Sequence, residues 1–265
     1  MSKDFSSDSV VPTTGRSILN KPWQVAILTL IATVVLFYAA EILGGLIISI
    51  YPTLHHWSAV QTDRWLTNSV EAQFAYGLLA DGLILAGIAW LLKLFHWEWS
   101  SIGLKMPKIR HIVYGVLAAV PYYILYIIAI TIISVIIPAI NVNQTQEIGF
   151  NSVHGILPLM LAFVSLVVVP PLAEEIAMRG FLYTGLRKWL PKIVSALIVS
   201  ALFGAAHLAE GGSAGPLWIG AMDTFILSLV LVFLREKTGN LWAGITLHAL
   251  KNGIAFVSLF LISGR

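Results

Sequence analysis

The chain has 265 residues, of which 58% are hydrophobic and 11% charged, and its net charge is +3. Soluble domains carry about 25% charged residues, so this is a membrane composition, and the charge is too small to argue for a nucleic-acid partner. No cysteine is present, which excludes disulfides, thiol catalysis and a Cys/His metal site.

Residues 1–22 are polar, rich in Ser, Thr and Pro, and read as a flexible cytoplasmic tail. The apolar run behind them is longer than the roughly 7–15 residues of a signal-peptide core, so it reads as a retained anchor. A bilayer-crossing helix needs about 20 apolar residues. Spans are expected at roughly 24–51, 72–95, 111–138, 155–178, 192–208, 216–234 and 241–262. The fold class expected is therefore all-α: a polytopic transmembrane bundle of about seven spans, with six or eight as the neighbouring counts. The fourth boundary is blurred because the apolar pattern runs on through "FLYTGLRKWL". Residues 23–265 read as a single integral-membrane domain, without internal repeats.

The basic residues orient this layout. With the N-terminus inside, Lys3, Arg16 and Lys21 are cytoplasmic. So are Lys93, Lys105, Lys108 and Arg110 at the second connection, Arg179, Arg187, Lys188 and Lys192 at the fourth, and Arg235 and Lys237 at the sixth. That is thirteen of sixteen, with Arg64 and Arg265 outside and Lys251 within the last span. The bias predicts an N-in, C-out chain. "HWEWSSIGL" (His96 to Leu104) carries Trp97 and Trp99 and is expected to be an interfacial segment and nothing more.

Ionisable residues inside the hydrocarbon are costly and are functional candidates by default. Glu41 and Asp81, single acids on two early spans, read as structural. Asp223 has no local partner in the sequence and reads as either structural or site-lining. Lys251 reads as structural, snorkelling or paired with an acid. The dense stretch is "PLAEEIAMRG" (Pro171 to Gly180). Adjacent Glu174 and Glu175 point about 100° apart on a helix. Glu175 and Arg179 are four apart with the acid first, the favourable ion-pair order. That pairing ties down Glu175 and leaves Glu174 free to face a cavity. The reversal before the fifth span falls near Leu190–Pro191. Glu174 lies sixteen residues before Leu190 and His207 sixteen after Pro191, so in an antiparallel pair they share one depth. In the last span His248 and Asn252 are four apart and share a helix face.

A carboxylate and an imidazole at one buried, wet point can hold and deprotonate water, and two further donors can stabilise an oxyanion. That is the outline of amide hydrolysis. There is no Ser–His–Asp set within the spans and no "HExxH". Two His and one Glu (Glu174, His207 and His248) also form a common catalytic zinc set, so metal-dependent and metal-free chemistry both stay open.

Glu174-Glu175 with Arg179-Gly180, then Phe203 with His207, then His248 with Asn252, resembles the CPBP family. These are the CAAX prenyl proteases of the Ras-converting-enzyme type and the bacteriocin-processing, Abi-like proteins. The ordered motifs place the protease-like core at about 150–262. The resemblance implies an intramembrane endopeptidase, with Glu174 and His207 activating water, His248 and Asn252 as the oxyanion hole, and Glu175 and Arg179 in support. It implies a membrane-associated or prenylated peptide or protein as substrate, in a bacterial plasma membrane. No cofactor is required by the glutamate mechanism, and zinc is required by the metal mechanism. A non-enzymatic immunity or scaffolding protein is the alternative, and a proton-coupled transporter using Glu41, Asp81 and Asp223 a more distant one.

Overall fold

The computed structural model describes residues 21–144, 146–150 and 153–262. The expected tail up to residue 20, and Arg265, lie outside the described residues. Seven helices are long and apolar enough to cross a membrane: α1 (Pro22–Leu54), α2 (Val70–Phe95), α3 (Ile109–Ile136), α4 (Ile156–Leu186), α5 (Lys192–Gly212), α6 (Trp218–Thr238) and α7 (Trp242–Ile262). The described residues contain no strand. The chain is an all-α, multi-pass integral membrane protein.

Local chemistry sets the helix ends. Pro22 begins α1, where its missing N–H costs nothing. Ser69 caps α2 by accepting from the Ala72 amide at 3.1 Å. A short helix, Ala59–Asn68, lies between α1 and α2, and Ser58 caps it with Gln61 reaching back to the Ser58 amide. Gly239, at φ +62°, ends α6 in the left-handed conformation that glycine tolerates best.

The apolar positions divide into inward stripes and lipid-facing surface. Ile84, Ile88, Leu91 and Leu92 turn one stripe of α2 onto α4 and α7, against Phe181 and Leu241. Tyr122 of α3 packs with Leu227 and Leu231 of α6 and Leu247 of α7. Ala26 of α1 meets Leu182 of α4, Val199 and Phe203 of α5, and Val232 of α6. The outer side of α3, from Val113 to Ile136, exposes Val and Ile side chains, as expected of a surface bathed in acyl chains.

Two faces result from the alternation of helices. One gathers the residue 96–108 connection, the short turns after α4 and α6, and the start of α1. There the Leu241 amide donates to the Gly103 carbonyl at 3.0 Å and the Trp242 indole to the Lys105 carbonyl at 2.9 Å. Glu236 bridges Arg187 at 3.6 Å and Lys192 at 3.4 Å. Here "HWEWSSIGL" departs from expectation. Trp97 packs against Phe95 and Phe181, and Ile102 is fully buried. The segment is a bracket under α4 as well as an interfacial anchor, because its apolar residues alternate with the polar ones that face outward.

The opposite face holds residues 55–69, the connection before α4 and the end of α5. Residues 141–144 and 146–150 form a strap across it. Gln144 donates to the Pro216 carbonyl at 3.0 Å and accepts from the Ile219 amide at 3.1 Å. At the strap's other end the Phe150 amide donates to Gln73 of α2 at 2.6 Å.

Candidate active site

α4 is irregular where it carries its acids. Two wider turns, Val164–Val168 and Glu175–Leu182, interrupt the α-helical ladder, and such π turns recur at functional sites. Pro170 and Pro171 supply no amide hydrogen. The Leu166 carbonyl would receive a bond from residue 170 in an α turn and from residue 171 in a π turn. Both are proline, so that carbonyl has no donor within its own helix.

Asn252 of α7 fills the gap: its Nδ2 donates to the Leu166 carbonyl at 2.9 Å. One amide hydrogen is thereby committed to holding α7 against α4, and the second remains for another acceptor. Sequence spacing shows that Asn252 shares a face with His248. It does not show the carbonyl that half-occupies the side chain.

Glu175 and Arg179 form the expected pair, with Arg179 Nη1 donating to Glu175 Oε1 at 2.9 Å. They are 1% and 0% exposed, so the charge is buried and paired, as burial requires. The guanidinium also stacks over Phe203 at 4.2 Å, so the Phe203 of the second motif braces the Arg of the first. Gly244 lets α7 close on this pair: a Cβ there would stand 2.8 Å from Glu175 Oε2. His248 follows one turn later, on the same side.

His248 fits between the two glutamates. Its Nδ1 lies 3.4 Å from Glu175 Oε1 and its Nε2 3.8 Å from Glu174 Oε2. The imidazole nearest Glu174 is therefore that of His248. Counting from the Leu190–Pro191 turn put His207 level with Glu174. His207 does line the same cavity, yet its Nε2 faces Glu210 at 3.9 Å. His207 Nδ1 lies 2.7 Å from the Phe203 carbonyl. A carbonyl only accepts, so Nδ1 carries a hydrogen, and in the neutral ring Nε2 presents a lone pair to the cavity.

Glu174, His207, His248 and Asn252 all line one cavity of about 240 Å³. Its other walls include Phe256 and Phe260 of α7, Leu166 and Pro170 of α4 and Thr224 of α6, with Gln146 and Ile148 of the strap and Glu210 at the end of α5. Towards the face of the basic turns, Glu175 through Tyr183 are all buried, which closes the floor. Glu210 was not among the expected site residues. It lies three positions after His207 in a short polar stretch, a spacing that shares a helix face, and that was the signal available.

Of the other intramembrane acids, Glu41 accepts from the Tyr76 hydroxyl. Asp223 is not partnerless: Lys251 Nζ lies 3.2 Å from its Oδ2, and the Tyr122 hydroxyl donates to Oδ1. Those partners are 28 residues ahead and 101 behind, so local inspection of the sixth span could not find them. Lys251 pairs with an acid, one of the readings its position allowed, and it lines the cavity as well.

The zinc set is not assembled. Among the described residues no three His, Asp or Glu side chains gather at metal-holding spacing. His248 stands near Glu174 while His207 turns to Glu210. Zinc ligands must converge to about 2.0–2.2 Å from one point. Glu174, His207 and His248 do not fit that demand.

Residues 155–254 match the family model described as type II CAAX prenyl endopeptidase Rce1-like. The match spans α4 to α6 and most of α7, so it contains every residue of the cavity's polar wall except the strap. No curated protein and no solved structure matches the chain.

Proposed function

We propose that the chain, whose residues 155–254 match the Rce1-like type II CAAX prenyl endopeptidase model, cleaves a peptide bond of a membrane-associated polypeptide with a water activated by Glu174 and His207. The observation that carries this reading is the single cavity onto which Glu174, His207, His248 and Asn252 all face, with the Glu175–Arg179 pair sealed beneath it. Glu174 takes one proton of the water as its oxygen adds to the scissile carbonyl carbon. His207 Nε2, its tautomer fixed by the Phe203 carbonyl, accepts a hydrogen bond from the same water and orients it. Negative charge then develops on the carbonyl oxygen. The free hydrogen of Asn252 Nδ2 and the ring of His248 are the donors assigned to it. When the C–N bond breaks, the proton held by Glu174 passes to the departing amine. Glu174 begins and ends as a carboxylate in this scheme, and its Oε2, buried with no hydrogen-bond partner among the described residues, is the atom assigned to take the proton. A bacterial plasma membrane is the setting we assign to this activity.

The test is cleavage of a membrane-embedded reporter peptide by the purified protein in lipid bilayers. Hydrolysis by the parent and none by Glu174→Gln, with peptide binding retained by both, is the expected result. Equal cleavage by Glu174→Gln overturns the assignment.

A further inference from the structure

The cavity opens towards one face of the molecule, and the charges of the chain assign that face to a side of the membrane. Its floor is the buried run of α4 around Arg179 and Phe181, and beyond that floor lies the face of the basic turns. Its upper wall is the strap. Gln146 Nε2 donates to Glu210 Oε2 at 2.6 Å and the Glu147 amide to the Glu210 carbonyl at 2.8 Å. Exposure falls along the same direction: the Glu210 side chain is 35% exposed, Glu174 21%, His207 16% and His248 5%. His207 lies fifteen residues into α5, about 22 Å from the Lys192 end at a helical rise of 1.5 Å per residue.

The two faces differ in charge. The connections on the closed side carry Lys105, Lys108, Arg187 and Lys188, with Lys192 and Lys237 at the adjoining helix ends, six bases against the two acids Glu98 and Glu236. On the open side the described charged residues are Asp63, Arg64, Glu71, Glu147 and Glu210, four acids against one base. Short loops rich in Lys and Arg stay in the cytoplasm. Ala59–Asn68 lies on the open side too. There Trp57 and Trp65 pack around Tyr51, as aromatic residues do at a membrane–water boundary.

We infer that substrate and water reach Glu174 from the extracytoplasmic side, so that the scissile bond belongs to a polypeptide presented at the outer leaflet, and not to a lipidated tail in the cytoplasm. This rests on the protease reading for the word scissile, while the side of access stands on charge and cavity alone.

The absence of native cysteine makes the test direct, because each introduced thiol reports alone. In intact bacterial cells expressing the full chain, a membrane-impermeant maleimide is expected to label Asp63→Cys and Glu147→Cys. Lys105→Cys and Lys188→Cys are expected to react only after permeabilisation. Ala255→Cys, on the cavity wall, is expected to react with a small impermeant thiosulfonate applied outside. The reverse pattern, or reaction of Ala255→Cys from the inner side alone, overturns the inference without touching the protease reading. A pair of reporters anchored by one transmembrane segment, cleavable at its outer or its inner end, completes the test. Cleavage of the outer one alone supports the inference. Cleavage of the inner one, lost in Glu174→Gln, overturns it and leaves the enzyme a protease.

Discussion

Arg179→Ala removes the cation that keeps Glu175 tolerable inside the bundle. Both side chains are essentially unexposed and joined at 2.9 Å, so the variant leaves a carboxylate without its cation in a low-dielectric layer. Breaking a buried pair from one side costs about 3–5 kcal/mol. The guanidinium also covers the Phe203 ring at 4.2 Å, and losing a desolvated contact of that kind adds up to about 2 kcal/mol. One compensation acts the other way. His248 Nδ1, 3.4 Å from Glu175, can take up part of the carboxylate's interaction, which favours the lower half of the range. For a chain of this size 1 kcal/mol shifts the midpoint by about 2–4 °C, so a loss near 3 kcal/mol lowers it by about 6–12 °C. The assay is thermal unfolding of detergent-solubilised protein followed by the fluorescence of its tryptophans. Arg179→Lys is expected to recover part of the loss, because it restores charge without the planar fork. Glu175→Gln combined with Arg179→Met removes both charges and is expected to unfold well above Arg179→Ala. Arg179→Ala unfolding within about 1 °C of the parent refutes the argument that the pair is needed. A double variant no better than the single one shifts the cost from charge to packing.

Glu174→Gln and His207→Ala each abolish hydrolysis with binding retained, and the double variant is little worse than either, because residues that hold one water do not act additively; single-turnover cleavage measures this. Asn252→Ala lowers turnover by roughly 10²–10³ through the lost oxyanion donor. It also lowers thermal stability, since the buried Leu166 carbonyl loses its donor at a cost of about 1–3 kcal/mol. Unchanged stability in Asn252→Ala means that the carbonyl is solvated some other way. A preparation stripped of metal by chelation retains full activity in the reporter assay, and loss of activity restored by zinc refutes the metal-free assignment.

The spans were legible because length and hydropathy alone decide them. Each expected boundary lies within a few residues of the observed one except at the fourth, where α4 continues to Leu186. The charge of Arg179 there suggests an end, and its burial against Glu175 removes that meaning. The Glu175–Arg179 pair followed from a four-residue spacing within one helix. The meeting of Glu174 with His248 did not, because it depends on how deep α7 begins. Trp242 starts that helix tucked against the Lys105 carbonyl, a contact 137 residues away in sequence. Glu210 was hidden for a different reason. It matters through a strap whose polar, loop-like sequence carries no periodicity, and whose place over the cavity is set by scattered bonds to Gln73, Glu210 and Pro216.

Pro170 and Pro171 fix the alignment of two helices by withholding a donor. An ordinary residue at position 170 would offer its amide to the Leu166 carbonyl and heal α4 from within. Asn252 would then be released, and α7 could slide or turn by a fraction of a helical step without losing a hydrogen bond. The relative register of His248 and Glu174 is thus encoded partly in what α4 cannot do for itself. A proline substituted here reads, in an ordinary inventory, as a relieved helix. In this protein it is the loss of the mark that tells α7 where to stop.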